Sequence, residues 1–153
     1  MDRALELGGR RRGTRPLPVG HDIYLTDAGG NEFCVIEPGN AYLAGCGLLG
    51  EVTCEGTRAA GRFWRDALGW TVVWDQGEQI AIQSPSGGTK IAWDGRPDSA
   101  MPGWNRQRFD LVAADPATEV NRLVALGATV RGDREGVVAL VDPDGSALTL
   151  GRG

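Results

Sequence analysis

Residues 50–71 read GEVTCEGTRAAGRFWRDALGWT and contain the pattern that decides the fold. A run with strand character from Leu48 to Cys54 comes before Thr57, whose hydroxyl suits the N-cap of a helix. Leu68-Gly69 then ends the helix, because glycine readily adopts the left-handed conformation of a C-cap. The apolar residues between these ends fall at i, i+3, i+4 and i+7, namely Ala60, Phe63, Trp64 and Ala67.

The same helix ending recurs along the chain. The leucine–glycine pairs that follow a helix pattern begin at residues 7, 68 and 126, and their spacings of 61 and 58 residues are typical of repeated supersecondary units. Turn sequences such as Asp142-Pro143-Asp144-Gly145 follow and predict hairpins, because glycine supplies the positive φ that such a turn needs. The predicted strands around these turns are His21–Thr26, Asn31–Ile36, Thr71–Trp74, Gln79–Gln83, Thr89–Trp93, Val137–Val141 and Ser146–Leu150.

The pattern predicts an α+β fold made of paired βαβββ modules. Residues 47–94 form one complete module and residues 106–151 form the other, joined by the loop 95–105. Residues 1–38 carry only a helix end and a hairpin, so we expect them to be the remnant of a preceding module. Residues 39–46 are then a linker.

The second module repeats the signals of the first. A strand is predicted at Gln107–Val112, Asp115 is a plausible N-cap, and Pro116 suits the first helical position. The predicted core stripe of this helix consists of Val120, Leu123, Val124 and Leu126.

Three local sequences carry a resemblance to a known superfamily. They are GNEFCV at residues 30–35, GEVTCEGT at residues 50–57, and Phe63-Trp64 followed by ALGW at residues 67–70. Together with the module order, they resemble glyoxalase-like bacterial members of the vicinal oxygen chelate superfamily of glyoxalases, bleomycin-resistance proteins and dioxygenases. The resemblance implies a curved sheet from two modules that lines a cleft, with the helices outside.

A metal site built from this chain alone is not expected. The chain has one histidine, His21, and three cysteines without a C-x-x-C pair, whereas transition-metal sites usually need several such ligands. The resemblance implies that metal ligands come from the first and last strands of each module. It places Glu51 and Arg108 at the first-strand positions, and Ala92 and Thr149 at the last-strand positions. This set predicts neither a metal nor another cofactor, since an arginine repels a divalent cation.

Period-two alternation predicts which residues line the cleft. Glu51 and Thr53 would face it from the first module, and Arg108 and Asp110 from the second, while the residues between them face the helices. The lining would also include Lys90, Gln83 and Thr149. One hypothesis is that a Glu51–Arg108 ion pair replaces the metal and bridges the modules. The alternative is a solvated rim.

The five tryptophans divide into two groups. Trp64 lies on the helix stripe and Trp93 alternates with the apolar Ile91, so both are predicted core residues. The other three are either an aromatic ligand wall or further core filling: Trp70, Trp74 and Trp104. By analogy with drug-sequestering members of the superfamily, an acidic protein with aromatic residues in its cleft suits a planar, cationic small molecule.

Three classes of function follow. The first is a small-molecule binder without metal chemistry. The second is a metal-independent isomerase or lyase that uses Glu51, Asp110 or Arg108. The third is a degenerate accessory domain. Cys54 points toward the helix and is expected to be a buried thiol rather than a nucleophile.

Charge and composition restrict the partners. The net charge of −4 and a pI near 5.0 argue against nucleic acid, and the RRRGTR cluster at residues 10–15 is predicted to be a solvated turn. Unpaired cysteines and the lack of a long apolar run indicate a cytoplasmic protein that does not enter membranes. Residues 20–37 expose apolar strand faces and edges, which predicts a homodimer that uses them.

Overall fold

The computed structural model describes residues 2–16, 21–37, 39–95 and 107–153. The chain forms two compact units, which divide between residues 45 and 46. None of the helices in the described residues is long and apolar enough to cross a membrane.

The first unit is a short helix and an antiparallel sheet in the order β1-β2-β3. Its elements are α1 (Asp2–Glu6), β1 (Arg10–Pro16), β2 (His21–Thr26), β3 (Glu32–Ile36) and a 3₁₀ turn at Ala41–Leu43. The predicted hairpin of β2 and β3 is confirmed. The prediction of a solvated turn at residues 10–15 is wrong, because these residues pair with β2 as a bulged strand. A strand can carry these arginines since it lies at the edge of the sheet with Arg10, Arg11 and Arg12 exposed.

The first complete module lies in the second unit and has four strands around one helix. Its elements are β4 (Glu51–Cys54), α2 (Arg58–Leu68), β5 (Thr71–Gln76), β6 (Gln79–Gln83) and β7 (Lys90–Trp93). The sheet order is β4-β7-β6-β5, with β4 parallel to β7 and the other pairs antiparallel.

The second module has the same topology. Its elements are β8 (Phe109–Ala113), α3 (Pro116–Leu126), β9 (Thr129–Arg134), β10 (Val137–Val141) and β11 (Ala147–Arg152), in the sheet order β8-β11-β10-β9. The sequence pattern missed β9, because all six of its residues are exposed and no apolar alternation marks it. The predicted α+β class with paired βαβββ modules is confirmed.

Both long helices begin and end where the sequence predicts. The side chains of Thr57 and Asp115 accept hydrogen bonds from backbone N–H groups of the first turn, and Gly69 and Gly127 end the helices at φ values of 64° and 118°. One stripe residue differs, since Val124 is 44% exposed on α3. The prediction of Val124 as a core residue is therefore wrong, because α3 presents only a narrow face to the core.

The two modules share one hydrophobic core. The rings of Trp64 on α2 and Phe109 on β8 meet edge to face with centroids 4.8 Å apart. Gly61 allows α2 to approach β6 closely, because a Cβ atom at this position would lie 2.2 Å from Cγ2 of Ile80. The largest fully buried side chains of the unit are Trp64, Trp93, Ile80, Ile82, Leu123, Leu140, Leu148 and Leu150.

The turn Asp142-Pro143-Asp144-Gly145 also connects the modules. Oδ2 of the buried Asp142 accepts a hydrogen bond from Nε1 of Trp64 at 3.0 Å. Asp144 accepts hydrogen bonds from the backbone N–H and the hydroxyl of Thr57, at the start of α2. The closing turn of the second module therefore holds the helix of the first.

Candidate functional site

The candidate site lies on the side of the two sheets that faces away from the helices. On β4, Val52 and Cys54 pack with the core, so alternation turns Glu51 and Thr53 to the opposite side. Thr53 is exposed and Glu51 is half-buried. The hydroxyl of Thr53 donates a hydrogen bond to Oε1 of Glu51 at 2.9 Å.

The neighbouring strands of the first module add a lysine and a tryptophan to this side. Lys90 pairs in register with Glu51 across the parallel β4–β7 ladder and is only 5% exposed. A register shift in β5 places Trp74 opposite the fully buried Ala81 of β6. Trp74 itself is half-buried. Lys90 and Trp74 therefore lie on the same side of the sheet as Glu51, whereas the sequence left Trp74 open between a ligand wall and core filling.

In the second module the polar residues form a connected group. Nε of Arg108 lies 2.8 Å from Oδ1 of Asp110, and the hydroxyl of Thr149 on β11 donates a hydrogen bond to the same carboxylate. The hydrogen bond from Arg108, and then that from Thr149, hold the pKa of Asp110 below its ordinary value. Phe109 between them faces the core against Trp64, which fixes the side to which its neighbours point.

Gln107 connects the strands that carry the two polar groups. Its Nε2 donates a hydrogen bond to the backbone carbonyl of Thr53 at 2.8 Å, which places the start of β8 beside β4. We call the five residues Glu51, Thr53, Arg108, Asp110 and Thr149 the polar face. Sequence reasoning listed all five but missed Gln107, which no motif marks.

The predicted ion pair between Glu51 and Arg108 does not form. Arg108 pairs with Asp110, two residues away on the same side of its own strand, and Glu51 accepts from Thr53. The local partner is favoured because neighbours i and i+2 on one strand already share a face, and the long arginine side chain reaches back without crossing to the other module.

Of the remaining two tryptophan candidates, the structure describes only Trp70. Trp70 packs against the hydrophobic core, where it follows the C-cap of α2. This placement favours core filling over a ligand wall for Trp70. Trp104 lies outside the described residues.

The positions that hold metal ligands in the superfamily do not suit a metal here. Ala92 is fully buried and has no ligand atom, Arg108 is cationic, and the hydroxyl of Thr149 donates to Asp110. In the described part of the chain, no three His, Cys, Asp or Glu side chains are grouped so that they could hold a metal ion. We derive no metal-dependent step for this site.

The cysteine on the core side is poorly suited to act as a nucleophile. Cys54 is 3% exposed, and burial, with a smaller contribution from Asp142, raises the pKa of its thiol to about 12. It lines a cavity of about 10 Å³ together with Trp64, Trp93, Gln107, Phe109, Asp142, Ser146 and Ala147. This volume is enough for about one water molecule and is too small for an organic ligand.

Comparison with protein families identifies the chain. A family model described as a glyoxalase-like domain matches residues 51–150. The chain belongs to this glyoxalase-like family. The match covers both modules and begins at the first residue of β4. A comparison with curated proteins gives no sequence match.

Solved structures share the glyoxalase-like fold. The antibiotic-binding protein TnmS3 from a Streptomyces species is 19% identical, with a TM-score of 0.50 over 67% of this chain and 92% of that protein. A member of the superfamily from Sphaerobacter thermophilus is 20% identical, with a TM-score of 0.50 over 67% of this chain and 94% of that protein. At such identities the likeness concerns the fold alone.

Proposed function

We propose that residues 46–153 bind a small aromatic molecule at the polar face without metal chemistry. The observation that carries the proposal is the hydrogen bond from Gln107 to the backbone carbonyl of Thr53, because it ties the start of β8, which carries one group of polar residues, to β4, which carries the other. Ligand sites commonly combine apolar walls with a few convergent polar groups, and Trp74 supplies an aromatic surface on the same side of the first sheet. The proposed location is the cytoplasm, in keeping with three free cysteines.

A planar cation is the proposed ligand class. The net charge of −4 attracts cations, and a tryptophan ring favours a positive charge over its face. Arg108 already neutralises part of the charge of Asp110, so the aromatic contact rather than a full ion pair would contribute most of the affinity. The antibiotic-binding protein of the same fold is an analogy for this kind of role.

An isomerase or lyase is less well supported. An efficient general base has a pKa near the working pH, whereas hydrogen bonds lower the pKa of Asp110 from its ordinary value of 3.8. Arg108 is engaged with Asp110 and would have to leave it to stabilise a developing anion. These contacts suit the fixed recognition of a ligand better than proton transfer.

The test is a fluorescence and thermal-shift titration of the full chain with planar cationic aromatic compounds and with their neutral analogues. Wild type is compared with Asp110→Asn, which removes one of the two carboxylates of the polar face, and with Trp74→Phe. We expect at least one cation to bind, and each substitution to weaken it about tenfold. Asp133→Asn is the matched control. Asp133 is exposed on β9 and pairs with Val138, which packs against the core, so Asp133 lies on the opposite side of the sheet from the polar face.

Two results would contradict the proposal. One is that no compound changes the fluorescence or the melting temperature. The other is that Asp110→Asn and Asp133→Asn weaken binding equally, because that would locate the ligand away from the polar face. The melting temperatures of the free variants show whether each still folds.

A further inference from the structure

The strands β5 and β9 occupy the same place in the two modules and have related sequences. β5 reads TVVWDQ and β9 reads TVRGDR, and each residue of β9 lies 58 positions after its equivalent in β5. Both strands have a register shift directly after their first valine, so Trp74 pairs with Ala81 and Gly132 pairs with Ala139. At this equivalent position the first module therefore has an indole and the second has no side chain.

The sheet surface beside this position is closed in the first module and open in the second. Ala81 pairs with Ala92 on the side of the first sheet away from the helices, and both are fully buried. In the second sheet the equivalent pair is Ala139 and Thr149. Ala139 is exposed and Thr149 is half-buried. The second module thus presents open surface where the first does not.

The local fold does not require a glycine at position 132. Its φ lies outside the left-handed range that favours glycine, and a Cβ atom there would have no heavy atom within 4 Å. Glycine inside a strand marks a bulge or a place where another group approaches closely. The first module carries the same bulge with Trp74, so the bulge alone does not explain the glycine. Gly132 therefore indicates a close approach.

We propose that an aromatic ring of the ligand lies on Gly132 and Ala139, at the place that Trp74 occupies in the first module. This inference rests on the proposed function, because it gives the ring of that ligand a position beside the polar face. Val112 and Val137 flank Gly151 on the same side of the second sheet and are 74% and 45% exposed. Exposed apolar side chains of this kind add contact area for a ring.

The charges of the second sheet orient the ligand. One row of residues crosses its four strands, namely Asp110, Thr149, Ala139 and Gly132. Neighbouring strands lie about 4.8 Å apart, so Asp110 is about 10 Å from Ala139 along this row. Arg131 and Arg134 are exposed on β9 at the other end and repel a positive group there. The ligand is therefore a planar ring system whose positive group extends toward Asp110.

Gly132→Trp tests the position of the ring, with Asp133→Trp as the matched control. The first variant gives the second module the residue that the first module has at this place. The control adds the same side chain to the neighbouring residue, which lies on the other side of the sheet. In a calorimetric titration of the full chain with planar cationic aromatic compounds, we expect Gly132→Trp to weaken binding at least about tenfold, and Asp133→Trp to weaken it less than about threefold.

Alanine methyl resonances give a second readout that needs no variant. An aromatic ring shifts the resonance of a methyl group that lies against its face upfield. We expect the methyl group of Ala139 to shift upfield in proportion to bound compound, and that of Ala125, which is exposed on α3, to stay unchanged.

The outcomes separate this inference from the proposed function. Wild-type affinity for Gly132→Trp, or a bound compound that leaves the Ala139 methyl unshifted, would overturn the ring position, and a loss of binding in Asp110→Asn would then still support the polar face. If no compound binds wild type, both are overturned. A shift of the Ala139 methyl with protein concentration alone would also overturn the inference, because a second copy of the chain would then cover this surface.

Discussion

Asp142→Asn tests the contact between the two modules. Oδ2 of Asp142 accepts from Nε1 of Trp64 at 3.0 Å, while Oδ1 accepts from the backbone N–H groups of Asp144 and Ser146 at 3.0 and 2.9 Å. Asparagine can keep the Oδ1 contacts, but its amide group then faces the indole N–H, so two donors oppose each other.

The magnitude follows from burial. Trp64 is 2% exposed and Asp142 is 3% exposed, so water cannot replace the lost bond. Losing a hydrogen bond to a charged acceptor and leaving a buried donor unsatisfied costs about 2 to 4 kcal/mol. Removing a buried carboxylate returns part of its desolvation cost. We therefore expect the free energy of unfolding to fall by about 1 to 3 kcal/mol at pH 7.

The pH dependence has a defined sign. Burial raises the pKa of Asp142 above its ordinary value of 3.8. The titration of this group therefore favours the folded state below pH 3.8, and that contribution is lost as pH rises through the folded pKa. The stability of wild type relative to Asp142→Asn should accordingly increase as the pH is lowered from neutral toward the ordinary value of 3.8.

Urea denaturation provides the assay, with a double-mutant cycle that uses Trp64→Phe. The free energy of unfolding of the double variant should fall by about 1 kcal/mol less than the sum of the two single decreases, because each single change removes the same hydrogen bond. A loss below about 0.5 kcal/mol for Asp142→Asn, together with additivity, would refute this reasoning.

Three further predictions concern the second unit and the thiols. Gly61→Ala should lower the free energy of unfolding by about 1 to 3 kcal/mol in urea, because the new methyl group would meet Ile80 at 2.2 Å and this overpacking outweighs the helix preference of alanine. Thr57→Ala should lower the free energy of unfolding by about 1 kcal/mol or more, since it removes the N-cap of α2 and a hydrogen bond to Asp144 of the second module. In a colorimetric thiol assay Cys34 should react at once, whereas Cys54 should react only after unfolding because it is buried and its pKa is raised to about 12.

Controls separate these effects from general damage. Gly132→Ala lies on β9 with no heavy atom within 4 Å of the new Cβ, so it should not destabilise the protein. A similar loss for Gly132→Ala and Gly61→Ala would contradict the packing argument. An unchanged melting temperature for Thr57→Ala would contradict the predicted role of its N-cap. Rapid labelling of Cys54 in the native protein would contradict the predicted burial of its thiol.

Local signals in the sequence were sufficient for most of the fold. Thr57, Asp115, Gly69 and Gly127 determine the helix ends through their own side chains or their own backbone freedom, and both helices begin and end at these residues. β1 and β9 were missed, because edge strands with exposed, charged residues carry no apolar alternation.

The side of the sheet on which the candidate residues lie was predictable, but their contacts were not. Alternation correctly assigned Glu51, Thr53, Arg108 and Asp110 to the side away from the helices, since this follows from strand geometry alone. Whether Arg108 pairs within its strand or across the modules depends on three-dimensional distances, which the pattern does not contain. For the same reason, Asp142 was read as a turn residue although it is also the acceptor of a buried indole.

The proposed binding role is tested most directly by nuclear magnetic resonance of the labelled full chain during titration with the tightest-binding compound. We predict that the largest amide shifts occur at Glu51, Thr53, Asp110 and Thr149, with a shift of the Trp74 indole and little change at Asp133 on the other side of the sheet. Shifts confined to the helices or to the first unit, or no saturable shifts, would contradict a ligand site at the polar face.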